Sequence, residues 1–187
     1  MHFQETSLDS AFLICPELLQ DERGFFARTW CQREFSERGL NSQLVQCNVS
    51  QNVQRGTLRG MHWQAMPRPE TKLVRCTSGA IFDVIVDVRT GSPTFGDWQG
   101  FELSAANRRA LYIPAGFAHG FLTLEDNSEV FYQMSDFYES SLSRGLHHSD
   151  PTVGIKWPDE IRIVSERDQS LPFLEEAVSR TEQHNPA

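Results

Sequence analysis

No stretch of this sequence approaches the ~18 consecutive apolar residues that a membrane-spanning helix needs. The N-terminus has no basic region followed by an apolar run, so no secretory leader is expected. Cysteine is scarce: four residues, at positions 15, 31, 47 and 76, with no C-x-x-C spacing. That spacing argues against a disulfide framework and predicts reduced, mostly buried thiols in a cytoplasmic protein. Basic charge is in deficit, with 17 Lys and Arg against 25 Asp and Glu and a net charge of -8. A chain this acidic is a poor partner for nucleic acid or an anionic membrane, although a local basic pocket stays open to it. Internal repeats of 20–50 residues and low-complexity segments are absent, and long amphipathic helix patterns are few.

Short alternating runs are abundant instead. From Phe82 to Arg89, Phe82, Val84, Val86 and Val88 alternate with Asp83, Ile85, Asp87 and Arg89. A period of two with β-branched residues predicts a strand. Further strands are expected over Ala11–Cys15, Val45–Ser50, Thr57–Gln64, Lys72–Thr77, Trp98–Leu103, Ala110–Ile113, Phe121–Leu124 and Glu129–Met134. Gly, Pro, Asn and Asp clusters separate most of them. This pattern predicts an all-β jelly-roll barrel with a few short peripheral helices. Helices are expected over Thr29–Arg38, closed by Gly39, and over Ser170–Val178. The 187 residues suit one domain over 1–178, with a polar tail over 179–187 that frays.

Two blocks carry chemistry. Gly56, five residues and His62-Trp63-Gln64 are followed by Lys72, six residues and Gly79; Pro114-Ala115-Gly116-Phe117-Ala118-His119 forms a second block. Together they resemble the paired motifs of the cupin barrel. In metal-binding cupins the first motif supplies His-x-His and a Glu to a metal. Gln64 stands here in place of the second His, and Lys72 in place of the Glu. A protonated ammonium repels a divalent cation and has no lone pair to give. The expected site therefore holds no metal and no cofactor. Gly60 is expected to mark a bulge that lets Arg59 and His62 share a cavity despite opposite parity.

Further blocks identify a family. Asp21-Glu22-Arg23-Gly24-Phe25-Phe26, Gln46-x-Asn48-x-Ser50, Leu58-Arg59-Gly60-Met61-His62, Lys72-Leu73-Val74-Arg75, Ser92-Pro93-Thr94-Phe95-Gly96, Tyr132, Gly154-Ile155-x-Trp157-Pro158 and Ser165-x-Arg167-Asp168 occur in one order. The chain resembles the dTDP-4-dehydrorhamnose 3,5-epimerases over roughly Phe3 to Leu174. The resemblance implies a homodimeric cupin acting on a nucleoside-diphosphate-linked 4-keto-6-deoxysugar. Inversion at C3 or C5 needs a base on one face, an acid on the other and positive charge near the ketone oxygen.

By resemblance His62 is the base, Asp168 its orienting partner, Lys72 the stabiliser of the enolate oxygen and Tyr132 the proton donor. Arg23, Arg59, His119 and Arg167 match positions that contact substrate, and the planar fork of Arg suits a diphosphate. Gln46 and Asn48 match positions near the nucleobase, Tyr138 matches the ring stacked on it, and Phe26 is a second aromatic candidate there. Read without the resemblance, Asp168 is equally a cap for the following helix, and Asp83 and Asp87 are as easily ion-paired as pocket-lining. His2, His147, His148 and His184 read as packed or surface residues.

Four departures from the family pattern stand out. Arg28 and Ser143 each replace a usual Glu in the substrate pocket, His148 replaces a common Trp, and the loop between Asn48 and Arg59 is one residue longer. The first two open a cytidine diphosphate sugar as an alternative to a thymidine diphosphate one, since cytosine N3 accepts where thymine N3 donates. Inversion of C3 alone is another alternative. From other classes, a metal-dependent cupin and a non-catalytic sugar-nucleotide binder are also weighed. The N-terminal strand Ala11–Cys15 is expected to add to a partner's sheet.

Overall fold

The computed structural model describes residues 1–183. Two antiparallel sheets face each other. The first has the order β1 (His2–Glu5), β2 (Phe12–Cys15), β10 (Ala110–Ile113), β7 (Lys72–Ser78), β12 (Ser128–Met134) and β5 (Gln46–Asn52). The second has the order β13 (Ser143–Gly145), β6 (Leu58–Gln64), β11 (Phe117–Thr123), β8 (Ala80–Asp87) and β9 (Trp98–Ser104). A separate hairpin joins β3 (Leu19–Asp21) to β4 (Gly24–Phe26). This is the jelly-roll barrel that the alternating runs predict.

Strand alternation sorts the apolar residues into cores. Val74, Cys76 and Val130 of the first sheet meet Ile81, Ile85, Leu103, Phe117 and Phe121 of the second between the two layers. Their neighbours in sequence point the other way. Leu73, Ala110, Tyr112 and Ile14 pack outside the first sheet against Phe35 of helix α1 (Gln32–Ser36). Met61, Val84, Val86 and Ala118 pack outside the second against Leu174 and Ala177 of helix α3 (Leu174–Gln183). One short helix thus covers each barrel face.

Both predicted helices shift at their starts. Cys31 is extended at φ -152°, so α1 begins at Gln32 rather than Thr29. Gly39, at φ +71°, ends that turn as expected, with Leu40 N–H reaching back to Phe35 O at 3.1 Å. Pro172 disfavours helix at Leu171, and Asp150 Oδ2 accepts Leu174 N–H at 2.6 Å, which moves the second start from Ser170 to Leu174. That helix runs through Gln183, into the tail expected to fray; residues 184–187, including His184, lie outside the described residues. A further helix, α2 (Glu166–Gln169), has Ser165 as its N-cap.

Two other expectations are corrected. β2 lies between β1 and β10, so it is not a free edge; the edges of that sheet are β1 and β5. Of the four free thiols only Cys76 is buried, while Cys15 and Cys31 are half-buried and Cys47 is exposed.

The bulge at Gly60 is present. His119 pairs with His62 and Phe121 pairs with Arg59, so two steps along β11 oppose three along β6. Gly60 has φ +128°, and a Cβ there would stand 2.5 Å from Gly120 Cα. Only glycine suits both the backbone angle and the approach of β11. The extra residue brings Arg59 and His62 to one side, where both line the same cavity.

Candidate active site

The cavity opens between the sheets above the inner core, with a volume of about 410 Å³. The second sheet supplies Arg59, His62 and His119 to its wall, and the first supplies Lys72, Tyr132 and Asn48. Tyr138, Ser143, Arg167 and Asp168 also line it.

Asp168 and His62 meet across 106 residues of sequence, with His62 Nε2 2.7 Å from Asp168 Oδ1. Asp168 Oδ2 accepts Gly60 N–H at 3.1 Å, and Asp168 N–H donates to the capping Ser165 Oγ at 3.1 Å. Asp168 is not the cap of the following helix: it lies inside α2, whose N-cap is Ser165, while Asp150 takes the first N–H of α3, and the Asp168 carboxylate is left to hold the imidazole. Burial alone would raise this carboxyl, but His62 and the Gly60 N–H stabilise the ionised form and hold it below the usual carboxylate range.

A second carboxylate–imidazole pair stands beside the first. His119 Nε2 lies 2.8 Å from Asp83 Oδ1, and Asp83 is fully buried. Burial pushes the Asp83 carboxyl up, an effect that His119 partly opposes. Tyr132 stacks edge-on to His119 at 6.0 Å between ring centres. Burial raises the Tyr132 phenol, Asp83 adds to that, and Arg59 acts against it. Asp87, the other weighed carboxylate, serves the fold: it binds Arg89, Ser92 and Thr94.

Lys72 is buried with Glu70, whose Oε1 lies 2.5 Å from its ammonium. Arg59 Nε donates to Asn52 Oδ1 at 2.7 Å, and Arg167 Nη2 donates to Ser143 Oγ at 2.9 Å. Asn48 Nδ2 contacts Met134 Sδ at 3.2 Å. Gln46 is absent from the cavity wall; its Oε1 accepts Tyr138 N–H at 3.2 Å and so fixes the loop that carries that ring. Gln64, at the second-histidine position, spends its amide on Arg68 O, Phe137 O and Glu139 N–H.

Three further expected contacts, besides Gln46, lie away from this cavity within the chain. Arg23 sits at the tip of the β3–β4 hairpin, its side chain 84% exposed and paired with Asp21 at 2.5 Å. Phe26 on the same hairpin is 72% exposed. Arg28 pairs with Glu34 at 3.0 Å near the start of α1. The hairpin pairs only with itself in the sheet, so nothing in the strand ladder folds it back over the site.

Glu70 is not a motif position of either cupin block, and alternation leaves Asp83 open between an ion pair and a pocket role. Glu70 had a signal: residues two apart in an extended segment share a face, so Glu70 and Lys72 belong together. Asp83 had none beyond alternation, because its pairing depends on β8 and β11 lying side by side.

The comparisons with known proteins agree with this geometry. A sequence profile of the family described as dTDP-4-dehydrorhamnose 3,5-epimerase matches residues 5–176. The dTDP-4-dehydrorhamnose 3,5-epimerase of Methanothermobacter thermautotrophicus is 46% identical over 177 residues, covering 93% of this chain and 95% of that protein. The crystal structure of dTDP-4-dehydrorhamnose 3,5-epimerase from Bacillus anthracis str. Ames, with TDP and PPi bound, is similar at a TM-score of 0.89 and 41% identity. It covers 92% of this chain and 98% of that one. The dTDP-6-deoxy-D-glucose-3,5-epimerase of Legionella pneumophila Philadelphia 1, in complex with dTDP-4-keto-L-rhamnose, gives a TM-score of 0.87 at 37% identity, covering 93% of each chain. With the barrel, the paired sheets and the His62–Asp168 contact in place, this chain belongs to the dTDP-4-dehydrorhamnose 3,5-epimerase family of cupin-fold isomerases.

Proposed function

We propose that this chain inverts C3 and C5 of a dTDP-linked 4-keto-6-deoxyhexose through an enolate. The observation that carries the reading is the division of chemistry between the two sheets. His62, held by Asp168, stands on one wall, while Tyr132 and Lys72 stand on the strands of the other. Inversion needs proton removal from one face and return to the other, and a base and an acid on facing sheets meet that need.

Asp168 holds the Nε2 proton of His62, which leaves Nδ1 with the lone pair that removes a hydrogen next to the ketone. Lys72 places an ammonium at the ketone oxygen as negative charge develops there, in a site where burial strengthens the attraction. Tyr132 returns the proton; its raised phenol stays protonated until an enolate is present to accept. Arg59, His119 and Arg167 bind the diphosphate, with Asn48, Ser143 and Tyr138 toward the nucleoside.

Arg23, Phe26 and Arg28 fit this reading if the protein is a homodimer in which the β3–β4 hairpin of one subunit completes the partner's cavity. The hairpin exposes apolar side chains for such a contact: Leu19, Phe25 and Phe26. Thymidine diphosphate is the favoured handle, because the similar Bacillus anthracis structure holds TDP.

The deciding experiment is NMR of a dTDP-4-keto-6-deoxyhexose incubated with the protein in deuterated water. Deuterium at C3 and C5 with inverted products is expected. A spectrum unchanged after prolonged incubation would end the reading. Light scattering that returned a monomer mass would remove the shared-cavity arrangement, and tighter competition by cytidine diphosphate than by thymidine diphosphate would change the assigned base.

A further inference from the structure

Glu70 belongs to the cavity wall, yet the proposed reaction gives it no task. It precedes β7 by two residues and shares a face with Lys72. Its Oε1 lies 2.5 Å from the Lys72 ammonium, and both side chains are less than one-tenth exposed. The surrounding backbone is pinned. Thr71 N–H donates to Ser135 Oγ at 2.8 Å, Ser135 N–H donates to Thr71 O at 3.1 Å, and Gln64 Nε2 donates to Arg68 O at 2.6 Å.

The other carboxylate oxygen, Oε2, is buried and has no hydrogen-bond partner among the described residues. A buried carboxylate oxygen left unpaired is costly, and a donor carried in by a ligand removes that cost. Lys72 and Glu70 together present a donor and an acceptor side by side. A ketone offers an acceptor, and a hydroxyl on the adjacent carbon offers a donor. The pair is therefore the chemical complement of an α-hydroxyketone, with the ammonium toward C=O and the free Oε2 toward O–H.

Resting on the epimerase reading above, we propose that Glu70 is a substrate-recognition residue whose Oε2 accepts a hydrogen bond from the 3-hydroxyl of the 4-keto sugar. The Glu70–Lys72 pair selects ligands in which a hydroxyl flanks the ketone. It also fixes the C3–C4 edge of the ring, the edge along which the enolate forms. A carboxylate that served only as counter-ion to Lys72 would feel no difference when that hydroxyl was removed.

The test compares the dTDP-4-keto-6-deoxyhexose with its 3-deoxy analogue, reading total deuterium incorporated next to the ketone, a position both possess. Wild-type protein is expected to lose about ten- to a hundredfold in kcat/KM on the analogue. Glu70→Gln and Glu70→Ala are expected to lose much of that factor on the hydroxylated substrate and clearly less on the analogue, a non-additive pattern that marks a direct contact. Thermal midpoints check that the variants fold, and the wild-type comparison stands without them. Equal penalties on both substrates, no penalty on either, or undiminished wild-type exchange of the analogue would each overturn the inference alone. Absence of exchange in the hydroxylated substrate would overturn the epimerase reading and this inference with it.

Discussion

Asp168 grips His62 through Nε2 at 2.7 Å, and the same carboxylate accepts the backbone N–H of Gly60, two residues away on the strand that carries the imidazole. The ring is thereby fixed in tautomer and in direction by one group. On the proposed reading, Asp168→Asn keeps the size of the partner but removes the charge that stabilises the imidazolium. A fall of about 10²–10⁴ in kcat is expected, with a smaller change in KM. Steady-state kinetics on the purified variant check this, and unchanged kcat would show that the dyad is not the base.

On the proposed reading, Tyr132→Phe separates the two halves of the reaction. Deuterium should still enter from solvent, because His62 is untouched, while inverted product should fall by about 10²–10⁴. NMR in deuterated water reads both together. Loss of exchange in parallel with inversion would assign proton removal to the phenol as well.

Two partly desolvated carboxylates contribute to the acid limb of stability. Asp168 and Asp87 are partly desolvated, yet hydrogen bonds hold both below their ordinary value of 3.8. A depressed folded-state carboxyl contributes stability that is present above the unfolded value and lost as pH falls through the folded one. Urea midpoints should therefore hold as pH approaches 4 and drop below it. Asp87→Asn should flatten that drop while lowering stability at neutral pH.

The outer core makes a mechanical prediction. Phe35 is 1% exposed and packs edge-on to Phe3 at 5.1 Å and tilted to Tyr112 at 5.7 Å. Phe35→Ala should cost about 3–5 kcal/mol, because the sheet behind it cannot collapse into the gap. Chemical denaturation measures this directly, and a loss under about 1 kcal/mol would show that α1 contributes little.

Cys76 tests the inner core. Burial pushes its thiol up to about 11. At pH 8 it should resist alkylation in the folded protein and react on unfolding, which mass spectrometry of the labelled peptide resolves.

The strands were largely legible in the sequence because alternation is a local property. Ala110–Ile113 has the expected bounds, and every other expected strand differs at one end or both. The hairpin β3–β4 is not legible there, since Asp21-Glu22-Arg23-Gly24 turns a pair of strands only three residues long, too short for a period to show. α1 shrank because Cys31 is extended, which no propensity sum predicts. In the site, His62, Lys72, Tyr132 and Asp168 came from the family pattern, whereas residues alone offered only rival meanings. Asp83 shows the limit: a charged residue between apolar ones looks alike whether it faces water or a buried imidazole, and only strand pairing decides.

The extra residue at Gly60 also acts as a ruler. Arg59 and His62 ride one short piece of backbone, so the separation of their Cα atoms is set by strand geometry. On the proposed reading, a sugar tethered through a single phosphate would stop short of the imidazole, and a longer tether would overshoot it. On that reading the main chain sets the tether length, and swapping the arginine for lysine would weaken the grip without recalibrating the scale.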